Sequence, residues 1–276
     1  MVSSEQRRRQ LAREKYERQM QRRAEAASAR RRRNTILGAS LAVVVLAGGG
    51  TLFATGAFSS DDKDKSASTA SSAQAAPTQA DPAATPTRKP VEGCATPAAG
   101  SPNNKQFKAE PAMSIDQGAS YTMSLDSNCG KVTIALDAAK APHTVNSFNF
   151  LAGEQFFDHT KCHRLTTDGI FVLQCGDPTA SGSGSPGYKF ADENLTGATY
   201  PAGTVAMANS GPGTNGSQFF LVYKDTQLPP SYTPFGKITG GLDVVQKIAA
   251  AGTLEGSPDG HPMADVTLNS VTVSKG

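Results

Sequence analysis

The chain has 276 residues, a formal net charge of +3 at pH 7, no Trp and an aromatic content of 7%. The charge is divided unevenly: residues 1–34 hold 12 Lys/Arg against 4 Asp/Glu, residues 35–58 hold none, and residues 59–276 hold 15 Lys/Arg against 20 Asp/Glu. The part long enough to fold is acidic and poor in aromatic side chains, which argues against a nucleic-acid-binding domain, so we expect no nucleic-acid partner.

An apolar segment directly follows the basic tail. Residues 35–58 are uncharged, and at about 1.5 Å per residue they are long enough to cross a hydrocarbon core of about 30 Å. Four consecutive arginines, residues 30–33, precede this segment, and Lys/Arg are retained on the cytoplasmic side. The sequence therefore predicts a single-pass cell membrane protein. Its cytoplasmic tail is 1–34, its transmembrane signal anchor is 35–58, and the remainder is extracytoplasmic.

Two alternatives for the apolar segment are weaker. A cleaved signal peptide usually has an apolar core of about 7–15 residues and a small-residue cleavage site, and no good A-x-A site follows residue 58. A lipoprotein anchor needs a nearby cysteine, whereas Cys94 lies far downstream. The basic tail has two interpretations: a solvated topogenic tail, which we favour, or a surface for anionic lipid head groups or a cytoplasmic partner.

Residues 59–113 have the composition of a spacer. They are rich in Ser, Ala, Thr, Pro and Gln and nearly lack large apolar side chains, so they cannot bury enough surface to offset the entropy of ordering. We expect a disordered linker over 59–113 that holds a domain over 114–276 away from the bilayer. Cys94 is the exception, because its position suggests that the linker is pinned to the domain.

Residues 114–276 show the patterns of a β-rich domain with two helices. Helices are predicted over 141–153, where Pro142 suits the first turn and Gly153 the end, and over 242–251. Alternation and turn signals predict strands over 121–125, 131–136, 161–166, 170–175, 204–208, 218–223, 235–238 and 266–273. Two helices among many hairpin-linked strands indicate a mainly β fold, a closed antiparallel barrel with helices covering its ends.

All four cysteines follow the apolar segment, on the side of the membrane where disulfides persist. Asp168-Gly169 is a strong two-residue hairpin signal, and a hairpin centred there places Cys162 opposite Cys175. We therefore predict a Cys162–Cys175 disulfide, which leaves Cys94 to pair with Cys129. Four cysteines allow three pairings and free thiols are the remaining alternative, so this prediction depends on the hairpin register and on the compartment.

The usual catalytic and metal-binding motifs are missing from the domain. The Gly-Ser-Gly-Ser run at 182–185 is followed by Pro186 where a nucleophile elbow has its last glycine. The four histidines have no metal-ligand spacing, and no Cys-x-x-Cys pair accompanies them. The glycine-rich stretches lack the Lys and the helix that follow a phosphate-binding loop. We expect no metal and no cofactor.

One set of short motifs is highly specific. It comprises His163-Arg164, F-V-L-Q-C-G-D at 171–177, F-A-D-E-N at 190–194, M-A-N-S-G-P-G-T-N-G-S-Q-F-F at 207–220 and F-G-K at 235–237. In these motifs and their order, from about residue 120 to the C-terminus, the chain resembles the cyclophilin family of peptidyl-prolyl cis/trans isomerases. The resemblance implies a closed eight-stranded antiparallel barrel capped by two α-helices, in agreement with the predicted elements.

The resemblance also implies roles for individual residues. Rotation about an Xaa-Pro bond breaks no covalent bond, so the reaction needs no nucleophile or metal. Because rotation loses amide resonance, it needs a group that favours the twisted amide, which has its lone pair on the prolyl nitrogen. By resemblance Arg164 is the cation that donates to this nitrogen, and Gln174, Phe171 and Phe220 complete the catalytic set. The implied substrate-binding residues are Val172, Gly182, Ala208, Asn209, Gln218, Leu228 and Tyr232.

Three departures from the family pattern modify these expectations. The turn that follows Arg164 is two residues longer than usual, and strict alternation from its centre places Arg164 and Gln174 on opposite faces unless a bulge intervenes. Tyr232 stands where the family has a His, although a phenol can still donate a hydrogen bond. The common Trp of the family is absent, with Gln227 or Leu228 in its place, so we expect weak cyclosporin binding.

The sequence therefore predicts a membrane-anchored isomerase that accelerates Xaa-Pro rotation in exported or cell-surface proteins, with unfolded Pro-containing polypeptides as partners. Translocated chains arrive unfolded, and uncatalysed Xaa-Pro isomerisation takes tens of seconds or longer. Two alternatives remain. One is a non-catalytic, membrane-anchored module that binds Pro-containing segments, and the other is a protein whose basic tail is primary, with the barrel as a passenger.

Overall fold

The structure is a computed structural model that describes residues 86–276. This part of the chain contains one β-sheet of ten strands and two α-helices. The strands are β1 Tyr121–Ser127, β2 Gly130–Leu136, β3 Thr160–Lys161, β4 Arg164–Thr166, β5 Val172–Cys175, β6 Thr204–Met207, β7 Phe219–Val222, β8 Pro234–Gly240, β9 Asp259–Gly260 and β10 Thr267–Lys275. The helices are α1 Pro142–Gly153 and α2 Leu242–Ala250. Every predicted element therefore overlaps an observed one.

The sheet has the strand order β3-β10-β1-β2-β8-β6-β7-β5-β4-β9, and neighbouring strands are antiparallel. The mainly β fold is confirmed, but the closed eight-stranded barrel is wrong, because the sheet has ten strands and, within residues 86–276, no ladder joins its end strands β3 and β9. The predicted strand over 161–166 is divided because the chain changes neighbours there. β3 pairs with β10, whereas β4 pairs with β5 and with the short edge strand β9.

The core packs between the sheet and α1. Val145, Phe148 and Leu151, the apolar stripe predicted for this helix, are fully buried. The ring centroid of Phe148 lies 5.2 Å from that of Phe157 and 4.6 Å from that of Phe235. Burying a side chain of this size contributes about 1.5–3 kcal/mol, so the stripe holds the helix firmly against the sheet.

Helix α1 is capped from a distant part of the chain. Its N-cap residue, Ala141, has no side-chain acceptor. The carboxylate of Glu193 instead accepts hydrogen bonds from the backbone N–H groups of His143 at 3.0 Å and Thr144 at 2.8 Å. A carboxylate at this position satisfies orphan donors and complements the helix dipole. The F-A-D-E-N motif therefore has a structural task in holding α1.

Residues 86–113, which we call the N-terminal strap, lie against the domain. Arg88 Nη1 donates to the carbonyl oxygens of Pro262 at 2.7 Å and Ala264 at 3.0 Å. The ring of Phe107 meets that of Phe150 edge to face, with centroids 4.8 Å apart. The disordered linker expected over 59–113 is thus corrected for its second half. A few anchoring side chains suffice where a preformed surface receives them, and average composition does not reveal such anchors.

Both predicted disulfides are present in the structure. Cys94 is bonded to Cys129, which ties the N-terminal strap to the turn between β1 and β2. Cys162 is bonded to Cys175, at the base of the hairpin formed by β4 and β5. All cysteines of the described residues are therefore in disulfides.

The hairpin register differs by one residue from the predicted one. Arg164 pairs directly with Gln174 across β4 and β5. The backbone N–H of His163 donates to the carbonyl of Gln174 at 3.0 Å, one residue out of that register. This irregularity explains how the neighbouring disulfide and the Arg164–Gln174 pair exist together, a combination that strict alternation forbids.

A pH-dependent contact is expected where the strap meets α1. His143 Nδ1 lies 2.7 Å from Glu110 Oε1, and this hydrogen bond raises the pKa of His143 although partial burial opposes the shift. A raised folded-state pKa stabilises the fold below the ordinary value of 6.5, and the contribution is lost as pH rises through the raised value. Glu110→Gln should therefore lower the free energy of unfolding at about pH 6, by about 0.5 kcal/mol or less because the pair is exposed, and not at about pH 9. Denaturant unfolding at both pH values measures this, and an equal effect at both would contradict the assignment.

The basic tail over 1–34, the apolar segment over 35–58 and the linker through residue 85 lie outside the described residues. The transmembrane anchor therefore stays a prediction. In the part of the chain that the structure describes, neither helix has the length and apolar character needed to cross a membrane.

Candidate active site

Strand pairing places three predicted catalytic residues in one row across the sheet. Arg164 pairs with Gln174 across β4 and β5, and Gln174 pairs with Phe220 across β5 and β7. Phe220 in turn pairs with Ala206 of β6. Directly paired residues of antiparallel strands point to the same face, so the side chains of Arg164, Gln174 and Phe220 share one face. The one-residue register shift thus removes the conflict that strict alternation creates.

A chain of side-chain hydrogen bonds runs along this row. Arg164 Nη1 donates to Gln174 Oε1 at 3.1 Å, Gln174 Nε2 to Gln218 Oε1 at 2.8 Å, and Gln218 Nε2 to the carbonyl of Gly184 at 3.0 Å. On its other edge Arg164 donates from Nε and Nη2 to the two carboxylate oxygens of Asp259, each at 2.8 Å. The guanidinium is planar and rigid, so these contacts define its orientation.

An apolar cluster adjoins this chain at Phe220. Its buried members are Val172, Tyr200, Ala206, Phe220 and Val222, and Ala198, Ala208, Leu228 and Tyr232 pack against them. The rings of Phe220 and Tyr232 meet edge to face, with centroids 5.6 Å apart. Burial raises the pKa of Tyr200, whose neutral hydroxyl donates to the carbonyl of Tyr232 at 2.8 Å. Five residues predicted for the site therefore lie together here: Val172, Ala208, Phe220, Leu228 and Tyr232.

Phe171 lies outside this cluster, contrary to its predicted place in the catalytic set. Its ring meets the ring of Tyr223 edge to face at 6.0 Å, and the ammonium of Lys224 lies 4.4 Å from its centroid. The physical reason is alternation, because Val172 and Gln174 point to the site, so Phe171 just before them points to the other face. Phe171 packs against the main core instead.

A cavity of about 330 Å³ lies beside the polar chain. Gln174, Gly182, Ala208, Asn209 and Gln218 contribute to its lining, so these predicted residues are brought together. Gly182 has a φ of +80°, a conformation that favours glycine. The side chain of Asn209 donates to the carbonyl of Ser231 at 2.8 Å, which fixes the segment that borders the cavity.

The site contains no arrangement suited to a metal. Among residues 86–276, no group of three or more His, Cys, Asp or Glu side chains is placed to hold an ion. The row itself offers hydrogen bonding by an oriented cation beside an apolar pocket. Such a site stabilises charge that develops on a bound group without forming a bond to it.

Two residues of the site have no signal in the sequence that identifies them. Asp259 belongs to a Gly-Ser-Pro-Asp-Gly stretch that gives only a turn signal, and β9 is two residues long, too short for periodicity to identify. Tyr200 is isolated in the sequence, and only its burial in the apolar cluster shows that it supports Tyr232. No local signal identifies either residue, because both act through contacts that are distant in sequence.

Comparisons with known proteins identify the family of the chain. The profile of the family described as "Cyclophilin type peptidyl-prolyl cis-trans isomerase/CLD" matches residues 121–273, more than half of the chain. The chain is 51% identical over 167 residues to a probable peptidyl-prolyl cis-trans isomerase B of Mycobacterium leprae (strain TN), which covers 55% of this chain and 57% of that protein. It is 41% identical over 169 residues to peptidyl-prolyl cis-trans isomerase B of Streptomyces anulatus, which covers 54% of this chain and 94% of that protein. The chain thus spans little more than half the length of the M. leprae relative.

A solved structure supports the fold. The crystal structure of a cyclophilin type peptidyl-prolyl cis-trans isomerase from Cryptosporidium parvum matches with a TM-score of 0.51 at 25% identity, covering 57% of this chain and 99% of that chain. This agrees with the mainly β fold described above. Profile, relatives and fold lead to one conclusion: the chain belongs to the family of cyclophilin-type peptidyl-prolyl cis-trans isomerases.

Proposed function

We propose that the domain is a peptidyl-prolyl cis/trans isomerase in which Arg164 stabilises the twisted amide. The observation that carries the proposal is the row in which Gln174 pairs with Arg164 on one side and Phe220 on the other. A fixed cation is thereby placed one strand away from Gln174 and an apolar pocket one strand away in the opposite direction. In this arrangement a prolyl residue held in the pocket would lie on the same face of the sheet as the cation.

The proposed mechanism uses hydrogen bonding alone. Rotation about the Xaa-Pro bond has a barrier of about 18–20 kcal/mol because amide resonance is lost. Twisting localises a lone pair on the prolyl nitrogen, and a donor aimed there stabilises the transition state more than either planar form. Arg164 supplies that donor, the cluster around Phe220 holds the ring, and Gln218 and Asn209 align the peptide backbone. Gln174 orients Arg164 through its Oε1 atom.

The rate of exchange separates catalysis from binding. We expect the purified protein to accelerate cis/trans exchange of a short Ala-Pro peptide, so that the exchange time becomes much shorter than the uncatalysed tens of seconds. NMR exchange spectroscopy measures this time. A non-catalytic module would shift the peptide resonances on titration and leave the exchange rate unchanged. That second result would replace the proposal with binding of Pro-containing segments.

We also propose that the domain acts outside the cell membrane on exported or cell-surface proteins. Residues 35–58, with arginines 30–33 before them, support an anchor whose N-terminus is cytoplasmic. The two disulfides support an oxidising compartment for the domain. Proteolysis of intact cells that lack an outer barrier should remove the domain and spare an epitope on the tail. Protection of the domain until the cells are lysed would contradict this topology.

Cyclosporin should inhibit the enzyme only weakly. Leu228 packs against the apolar cluster, and Gln227 lies beside it. Gln227 has an amide where the family commonly has Trp, so the large apolar contact that a Trp ring would make with the drug is missing. We expect inhibition above the nanomolar range in the same exchange assay. Gln227→Trp should tighten inhibition and leave the uninhibited rate near that of the wild type. Nanomolar inhibition of the wild type would contradict this prediction.

A further inference from the structure

Most N–H donors of the Arg164 side chain are hydrogen-bonded to acceptors of the protein itself. A guanidinium has five N–H bonds. Asp259 accepts from Nε and from Nη2, and Gln174 accepts from Nη1. This leaves one N–H on each Nη atom for a substrate. Asp259 and Gln174 therefore determine which N–H groups of the guanidinium remain available to a substrate.

Asp259 holds the guanidinium in the stronger of these two ways. Its two oxygens accept two parallel N–H bonds at 2.8 Å each, and such a bidentate carboxylate pair is geometrically specific. Gln174 contributes one bond at 3.1 Å and is itself held by Gln218. The fold places Asp259 on the same face as Arg164, because Asp259 pairs with Thr166, two residues further along β4.

The segment that carries Asp259 is tied to the sheet by its backbone. Gly260 pairs with Leu165, and the backbone N–H of Thr167 donates to the carbonyl of Pro258 at 2.8 Å. The hydroxyl of Ser257 donates to the carbonyl of Asp259 at 2.7 Å. These contacts fix the main chain on both sides of Asp259. Its carboxylate is therefore presented from a defined position.

A carboxylate beside a catalytic cation has two opposing effects. It orients the side chain, and it also weakens the positive charge that the transition state meets. The side chains of Arg164 and Asp259 are 37% and 54% exposed, so water screens the second effect strongly. The two parallel hydrogen bonds at 2.8 Å also fix the direction of the guanidinium, and a long arginine side chain loses that direction when it is released. The net effect of Asp259 should therefore favour catalysis.

We propose that Asp259 is a positioning residue, which clamps the Nε–Nη2 edge of Arg164 so that the remaining Nη hydrogens face the proline site. The inference depends on the function proposed for Arg164. Asp259 acts through Arg164 and touches no substrate, so it should affect kcat and leave KM nearly unchanged. The peptide is held elsewhere, by Gln218, Asn209 and the apolar cluster.

The test compares four proteins in the exchange assay at several concentrations of an Ala-Pro peptide. Asp259→Ala should lower kcat about tenfold with little change in KM, since small misplacements of a catalytic group cost one to two orders of magnitude. Asp259→Asn keeps one acceptor and should recover part of this loss. Glu255→Gln is the matched control, because Glu255 lies in the same segment and pairs with His261 at 2.5 Å without contacting Arg164. It should behave as the wild type.

A second measurement reports the clamp independently of activity. NMR exchange of the Arg164 Nε–H with water should be slow in the wild type and in Glu255→Gln, and fast in Asp259→Ala. Faster Nε–H exchange with unchanged kcat would overturn the inference and leave the proposed function intact. An equal loss of kcat in Glu255→Gln and Asp259→Ala would also overturn it, since the segment as a whole would then be responsible. If Arg164→Ala is as active as the wild type, the role of Arg164 fails first and the inference fails with it.

Discussion

Replacing Arg164 with alanine should lower kcat/KM for exchange of an Ala-Pro peptide by about 10²- to 10³-fold, the range expected when one preorganised transition-state donor is removed. The loss should appear in kcat, because Arg164 interacts with the prolyl nitrogen most strongly when the amide is twisted. KM should change little, since Gln218 and the cluster around Phe220 remain. NMR exchange at several peptide concentrations separates the two constants.

Two further variants make this result specific. Lys161→Ala removes another exposed cation that pairs with an aspartate, since Lys161 Nζ lies 2.8 Å from Asp265 Oδ1. It should retain wild-type activity. Arg164→Lys keeps the charge but lacks the planar fork, so it should recover only part of the rate. Equal acceleration by Arg164→Ala and the wild type would remove Arg164 from its proposed role.

The second large effect is expected from loss of the Cys162–Cys175 disulfide, which closes a sequence separation of 13 residues. The double variant Cys162→Ala/Cys175→Ala should lower the free energy of unfolding by about 3 kcal/mol, the typical value for a loop of roughly 15 residues. The thermal midpoint should fall by about 6–12 °C, at roughly 2–4 °C per kcal/mol for a chain of this size. The kcat should fall as well, because this bond closes the hairpin that pairs Arg164 with Gln174. Calorimetry and the exchange assay measure the two effects.

The other disulfide provides the control for this pair. Cys94→Ala/Cys129→Ala opens a sequence separation of 35 residues and releases the N-terminal strap from the β1–β2 turn. It should lower stability to a similar extent and leave kcat/KM at the wild-type value, because neither cysteine adjoins the row of the site. A similar fall in kcat/KM in both double variants would attribute the activity loss to stability alone. Thiol titration of the native protein that finds free cysteines would contradict the disulfides themselves.

The parts of the fold that were predictable are those with a local pattern. Alternation over 121–125 and 131–136, and an apolar stripe of Val145, Phe148 and Leu151, each report which side of an element faces the core. The short strand β9 and the division of 161–166 into β3 and β4 have no such pattern. They depend on which partner strand the chain meets, and that partner is distant in sequence.

The candidate site shows the same division. The motifs identify Arg164, Gln174 and Phe220 as candidates. Whether Arg164 and Gln174 share one face depends on the register between β4 and β5, and an irregularity at His163 shifts that register by one residue. A one-residue difference reverses every side chain of a strand, so motif and face are separate questions. Phe171 illustrates this, because the motif includes it while its ring packs against the main core and outside the apolar cluster around Phe220.

By itself the sequence determined the element types and the uneven division of the +3 charge, because these depend on neighbours along the chain. It named the candidate site residues through the family resemblance, and it predicted the cysteine pairing through a hairpin register that differs by one residue from the observed one. The tertiary structure alone decided that the sheet is open, that residues 86–113 join the domain as a strap, and that Asp259 meets Arg164. These features depend on contacts between segments far apart in the chain. Such contacts form only when the backbone brings the segments together, and no local pattern encodes their geometry.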